Sequence, residues 1–145
     1  MAIPEPLTAL VSFLEADADV ATLAGTRIYG YELPQSEAAS GQMPRKAVVL
    51  NPAGGGGVGP GVSDYVEVQH LRVDVFCYGE TPFEASKLRL AVHNAFKHLK
   101  RITQDNTLIH SATLSGGPIA LRDQDTAWPI SMESWLVLTS EVSTT

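Results

Sequence analysis

A single cysteine, Cys77, occurs in 145 residues, so no disulfide within the chain ties this fold together. Nothing therefore argues for an oxidising compartment. Cys77 falls inside an apolar strand pattern, where it reads as a small buried hydrophobe and not as a nucleophile. Long hydrophobic runs are missing as well: none approaches the roughly 20 residues that span a bilayer. The opening Met1-Ala2-Ile3-Pro4-Glu5-Pro6 has no basic residue and no apolar stretch, which argues against a secretory signal and for cytoplasmic synthesis. Positive charge is scarce too. Ten Lys and Arg stand against 16 Asp and Glu, a net charge of −6. A general nucleic-acid binder works by neutralising phosphates, and this balance opposes that role. It suits solubility, and it also suits a surface that DNA passes without sticking.

What is present is an ordinary globular composition, 44% hydrophobic and 18% charged. The length fits one domain over residues 1–145, and a domain near this size buries roughly 68–70% of its unfolded surface. Leu7, Leu10, Val11 and Leu14 recur at helical spacing, which predicts a helix from about Glu5 to Ala16 with Pro6 tolerated in its first turn. Asp17-Ala18-Asp19 breaks that pattern, and Asp19 is expected to cap a short second turn closed by Gly25. Arg27–Tyr31 and Ala47–Leu50 read as short strands, and Gln35–Met43 as a loop. The stretch 52–63 is crowded with glycine (Gly54, Gly55, Gly56, Gly57, Gly59, Gly61) and buries too little to offset its ordering entropy, so a flexible hairpin tip is expected.

Asp64–Tyr78 predicts a long strand. Leu71, Val73, Val75 and Cys77 share one parity, whereas Val66 and Val68 take the other. That phase change near Gln69-His70 implies a bulge, or a first half packed on something else. Thr81-Pro82-Phe83-Glu84 is a capping box with proline at the first helical position. The helix it opens has a buried stripe of Ala85, Leu88, Val92, Ala95 and Leu99, with Ala91 and Phe96 beside it. Phe83 and Leu90 lie on the opposite face. Three strands follow, about Thr107–Leu114, Ile119–Arg122 and Ile130–Thr139, with Gly116-Gly117 as a hairpin turn between the first two. In the last, Ile130, Met132, Leu136 and Leu138 share one face, and Ser131, Glu133, Trp135, Val137 and Thr139 the other. The predicted fold class is α+β: an antiparallel or mixed sheet against a long amphipathic helix and an N-terminal helix, with a protruding glycine-rich hairpin.

A search for chemistry finds little. Gly54, Gly56 and Gly59 satisfy a G-x-G-x-x-G spacing, but Pro60 and a strand follow where a phosphate site needs a helix N-terminus. His70, His93, His98 and His110 are scattered, without ligand spacing, and read as surface or edge residues. Ser115-Gly116-Gly117 is a turn with no nucleophile elbow around it. Asp123 and Asp125 in Arg122-Asp123-Gln124-Asp125-Thr126 read as turn formers and salt-bridge partners. Lys87, Arg89, Lys97, Lys100 and Arg101 make half of the basic residues, but they circle the helix and are expected to meet acidic surface on this subunit or the next. No catalytic residue, cofactor or metal ligand is expected.

The arrangement as a whole resembles the tail-completion family of long-tailed phages, the tail terminators or head–tail joining proteins. The resemblance rests on the N-terminal helix leading through Val20-Ala21-Thr22-Leu23-Ala24-Gly25-Thr26-Arg27-Ile28-Tyr29, and on Met43-Pro44 before Ala47-Val48-Val49-Leu50. It continues in the glycine-rich insertion before Val73-Asp74-Val75-Phe76-Cys77-Tyr78, in Thr81-Pro82-Phe83-Glu84-Ala85, and in Arg122–Thr126 before a strand with Trp135. The resemblance implies a structural virion protein without catalytic residues: a ring, usually of six subunits, that caps the tail tube after growth stops and docks to the filled head. The implied partners are further copies of the chain, the tail tube protein and the head-completion or connector protein. DNA would pass through the lumen without specific binding, and no membrane would be involved. Assembly would take place in the host cytoplasm and end at the head–tail junction of the virion. A ring needs two different patches per subunit. Val66 with Val68, Phe83 with Leu90, and Trp135 with Val137 are the candidate spare apolar surfaces, and the glycine-rich tip is a candidate docking loop that orders when its partner arrives.

Overall fold

Helix α1 (Pro6–Glu15) turns Leu7, Ala9, Leu10 and Leu14 into the core, and Pro6 supplies its first residue, where no intrahelical N–H is needed. The computed structural model describes residues 6–33, 46–53, 58–59, 68–104, 107–123 and 128–141. Helix α2 (Ala18–Ala24) is capped by Asp17, whose carboxylate accepts from the amides of Asp19 and Val20, and is closed by Gly25 at φ 60°. The cap is thus Asp17 and not the expected Asp19. Asp17 has extended backbone, so its side chain folds back over the first turn, whereas Asp19 already lies inside that turn. Asp17→Ala is expected to lower stability by about 1 kcal/mol, read as a drop in urea midpoint at unchanged slope.

Helix α3 (Pro82–Lys97) begins where the sequence places it. The Thr81 hydroxyl accepts from the Glu84 amide at 3.2 Å, and Pro82 follows the cap. The Glu84 carboxylate pairs with Lys46 at 3.1 Å and with Lys87 at 3.8 Å. Both ammonium groups hold it below the usual carboxylate range, Lys46 most strongly. Ala85, Leu88, Val92 and Ala95 of the expected stripe are buried, with Phe96 beside them, whereas its last member, Leu99, lies past the end of the helix and is half-buried.

The strands are β1 (Ile28–Gly30), β2 (Ala47–Pro52), β3 (Val58–Gly59), β4 (Val68–Tyr78), β5 (Ile102–Gln104), β6 (Thr107–Arg122) and β7 (Pro129–Glu141). They form one mixed sheet in the order β1-β2-β4-β7-β6-β5, with β3 also on β4. Only β1 and β2 run parallel among the described pairs. Helix α3 packs on β4, β7 and β6, while α1 reaches both β1 and β5, the two ends of the strand order, so the sheet curls around it. The main core lies between helices and sheet: Leu7, Leu10 and Leu14 meet Val48, Leu50, Val73, Val75, Cys77, Leu88, Val92, Phe96, Trp135 and Val137. A smaller cluster of Ala47, Val49, Tyr78, Trp128 and Ile130 forms on the other face, with Tyr29, Leu33 and Phe76 beside it.

Three expectations change. The pair Gly116-Gly117 is no hairpin turn: β6 is one strand, paired with β7 from Thr107 to Arg122, and the register shifts on either side of Gly116. Gly117 has φ 118°, and a Cβ there would stand 2.9 Å from the Cα of Glu133 and 3.0 Å from the Met132 carbonyl. The glycine pair therefore lets two strands approach closely at a bulge, which a sequence pattern does not separate from a turn. Of the two readings of the phase change at Gln69-His70, the bulge is missing, because the β4–β7 register runs unbroken from Val68 to Tyr78, and the other, a first half packed elsewhere, falls on residues outside those described. A further short strand, β5, pairs with Thr107–Ile109 of β6, and its three residues were too few to show a period. Of the glycine-rich stretch, Gly59 joins Val58 in pairing with β4. Gly54, Gly55, Gly56, Gly57 and Gly61, and with them the proposed hairpin tip, lie outside the described residues.

Candidate functional site

Alternation along β7 sends Glu133, Trp135 and Val137 to the helix side. Trp135 is 3% exposed and Val137 fully buried, so neither is a spare subunit surface. The correction has a simple cause: both parities of β7 carry apolar residues, one set facing the main core and the other the smaller cluster, so alternation alone did not reveal which face the helices cover.

Glu133, on the same inner row, is the least expected resident of this core. Its side chain is 2% exposed and that of Arg89 11%, and Arg89 Nη1 donates to Glu133 Oε2 at 2.7 Å. His93, one turn further along α3, has Nδ1 at 3.0 and 3.2 Å from the two carboxylate oxygens. Trp135 Nε1 donates to Oε1 at 3.1 Å. The ring of Trp135 then meets His93 and Phe96, each at 5.3 Å between centroids, and Phe96 stacks on Phe13 at 5.9 Å. His93, read from the sequence as a surface or edge residue, and Arg89, expected to meet an acid on this subunit or the next, thus both turn in to Glu133 and fix α3 to β7. An acidic residue amid Trp135 and Val137, opposite an Arg–His pair spaced four apart, was the available signal.

Acid–base work needs a carboxylate that reaches a substrate proton. Here both oxygens of Glu133 are engaged by Arg89, His93 and Trp135 inside the core, an arrangement that holds elements together. Beside it, a groove of about 470 Å³ runs between the start of α3 and the end of the β6–β7 ladder, lined by Pro82, Ser86, Arg89, Ile119, Leu121 and Ile130 among others. The Ser86 hydroxyl in it accepts from Arg89 Nη2 at 3.4 Å. Burial pushes the Cys77 thiol far above its ordinary value, Glu133 adds to the push and Arg89 opposes it. Cys77 is fully buried and stays a neutral thiol. Maleimide is therefore expected to label it only after denaturant is added; rapid labelling of native protein would contradict this burial.

Other singled-out residues have structural partners. The Tyr78 hydroxyl donates to Asp123 Oδ2 at 3.3 Å, and burial with the Asp123 charge raises its pKa to about 12. His110 bonds Ser140 at 2.8 Å, and its pKa is lowered by burial and then by Arg101. His70 and His98 are exposed. Asp125 lies outside the described residues. Among the described residues, no group of three or more His, Cys, Asp or Glu is placed to hold a metal ion, and no helix is long and apolar enough to cross a membrane.

The surfaces are more telling. Phe83 is 82% exposed and Leu90 47%, on the face of α3 away from the core. Val66 lies outside the described residues, and Val68 opens β4, its backbone paired with Ser140 and Gly59. Ile119 and Leu121, which periodicity did not single out, are 47% and 42% exposed. By register Ile119 ends an apolar row, Tyr29–Val49–Phe76–Met132–Ile119, that crosses five strands.

No family model and no curated protein matches the sequence. The fold, however, is similar to a chain in the virion of a native gene transfer agent particle, with a TM-score of 0.59 over 92% of this chain and 93% of that one. Identity is 17%. What the two chains share is their fold, end to end.

Proposed function

We propose that this protein is a structural virion component that forms a ring, of six subunits, at the head-proximal end of a phage-type tail tube, stopping tail growth and joining tail to head. The observation that carries this reading is the fold shared along nearly the whole of both chains with a component of a gene transfer agent virion. Two features of the chain support it. The chemistry-bearing side chains are absorbed into packing, with Glu133, Arg89 and His93 closed into one another. Large apolar side chains, Phe83, Leu90, Ile119 and Leu121, stand in solvent on the isolated chain. In this reading they are the groups that assembly covers. In this reading the partners are the tail tube protein on one side and a head-completion or connector protein on the other, and the net charge of −6 lets DNA slide through the lumen. The glycine-rich segment 52–63 serves as the loop that docks.

The test is tube elongation in vitro. Added to growing tail tubes, the protein should bind one end and stop extension, at a ratio of one ring per tube. Continued growth with this protein incorporated along the tube would make it a tube subunit, and no effect on growth would remove the capping role.

A further inference from the structure

The exposed ridge of α3 combines apolar and basic groups. Phe83, Lys87 and Leu90 fall within about 60° of one another around the helix axis, and they are the most solvent-facing part of it, Phe83 at 82% and the Lys87 side chain at 68%. Lys97 continues the ridge; the one acid beside it, Glu84, is held by Lys46 at 3.1 Å and more loosely by Lys87 at 3.8 Å, and no acidic residue occurs between Ala85 and Gln104. A different patch has the opposite character. At the β1 edge, Leu7, Thr8, Val11, Gly30 and Tyr31 line a hollow of about 240 Å³. Gly30 gives it depth: a Cβ there would stand 3.2 Å from Leu7 Cδ2, so the space is shaped by a missing side chain. Acidic groups flank it. Glu15 lies one turn beyond Val11 on α1, and Glu32 follows Tyr31, both exposed.

We infer that these two patches dock on each other between copies of this chain. The Phe83–Leu90 ridge of one subunit seats in the Leu7–Val11–Tyr31 hollow of the next, with Lys87 and Lys97 facing Glu32 and Glu15. The occupant is a second copy because apolar relief and charge sign are both complementary: an apolar knob among cations meets an apolar hollow among anions. The patches differ, so the contact is heterologous and repeats from subunit to subunit until it closes. The apolar contact supplies the affinity, whereas the rim charges set register and make association weaken with salt. Closure into a ring rests on the function proposed above; the pairing of the two patches does not.

Two variants, each spoiling one patch, test it. Phe83→Asp removes the knob, and Thr8→Arg fills the hollow with a cation; both residues are exposed, and thermal melting by circular dichroism checks that both variants fold. By sedimentation velocity each variant alone should stay monomeric at concentrations where the wild type assembles. Mixed in equal amounts they should form a dimer and nothing larger, because one intact ridge and one intact hollow remain. Variants that assemble as the wild type does, or a mixture that stays monomeric or builds full assemblies, would overturn the pairing. Wild-type rings alongside variant rings would sink the patch assignment and leave the ring standing. A wild type that is monomeric throughout, on tubes as well as alone, would sink both.

Discussion

Glu133→Ala is expected to destabilise the protein by about 3–5 kcal/mol, the range for removing one partner of a buried ion pair. The substitution strips the Arg89 guanidinium, 11% exposed, of its counter-charge in the core. It also leaves the Trp135 indole N–H and His93 Nδ1 without their shared acceptor. The loss is therefore larger than one hydrogen bond, which contributes about 1 kcal/mol. Glu133→Gln should fall between, since the amide still accepts from Trp135 but no longer balances Arg89. Combining Glu133→Leu with Arg89→Met should recover most of the stability, because well-packed apolar residues replace buried ion pairs at little net cost. Urea unfolding at constant slope measures all three. A loss below about 1 kcal/mol for the alanine variant would mean that Arg89 finds water, contrary to the burial described.

Phe96→Ala is expected to cost a comparable 3–5 kcal/mol. Phe96 is 1% exposed and stands between Phe13 and Trp135, with centroids 5.9 and 5.3 Å away, so one ring joins α1, α3 and β7. Three elements of fixed backbone cannot all collapse into the space left, which places the cost toward the upper end. Phe96→Leu should recover more than half of it, since the hydrophobic volume is largely kept. A small effect of Phe96→Ala in calorimetry would show that α1 shifts to fill the gap and is less rigidly held than its buried Leu7, Leu10 and Leu14 suggest.

Much of this architecture was legible in residue order. The stripe of α3 and its Thr81 cap, the inward row Val73–Val75–Cys77, and the Gly25 helix stop all follow from local rules that the tertiary structure does not override. Where reading failed, the deciding contact was remote in sequence. Gly117 looks like a turn until Glu133 of β7 is set against it. Trp135 and Val137 look spare until helices cover one face of a strand that is apolar on both. His93 looks like a surface residue, and the acid that Arg89 meets cannot be named, until a buried carboxylate 40 and 44 positions away draws both in. The exposure of Phe83 and Leu90, by contrast, needed only the 100° step of a helix.

The same contrast bears on function. Periodicity identified Phe83 and Leu90 as apolar residues with nothing of their own chain to cover them, and the structure adds Ile119 and Leu121 at the sheet end. In the function proposed above, these are the groups that a neighbouring copy or partner covers. Under the proposed pairing of the α3 ridge with the hollow beside β1, the assembly either closes or grows without limit, depending on the rotation between neighbours. Terminating a tail requires closure.

Negative-stain electron microscopy of the purified protein, with its mass in solution from light scattering, tests this most directly. The account predicts discrete single-layer rings of six copies with an open centre. Extended filaments, or a particle that remains one chain of 15.5 kDa at every concentration and in the presence of tail tubes, would contradict it.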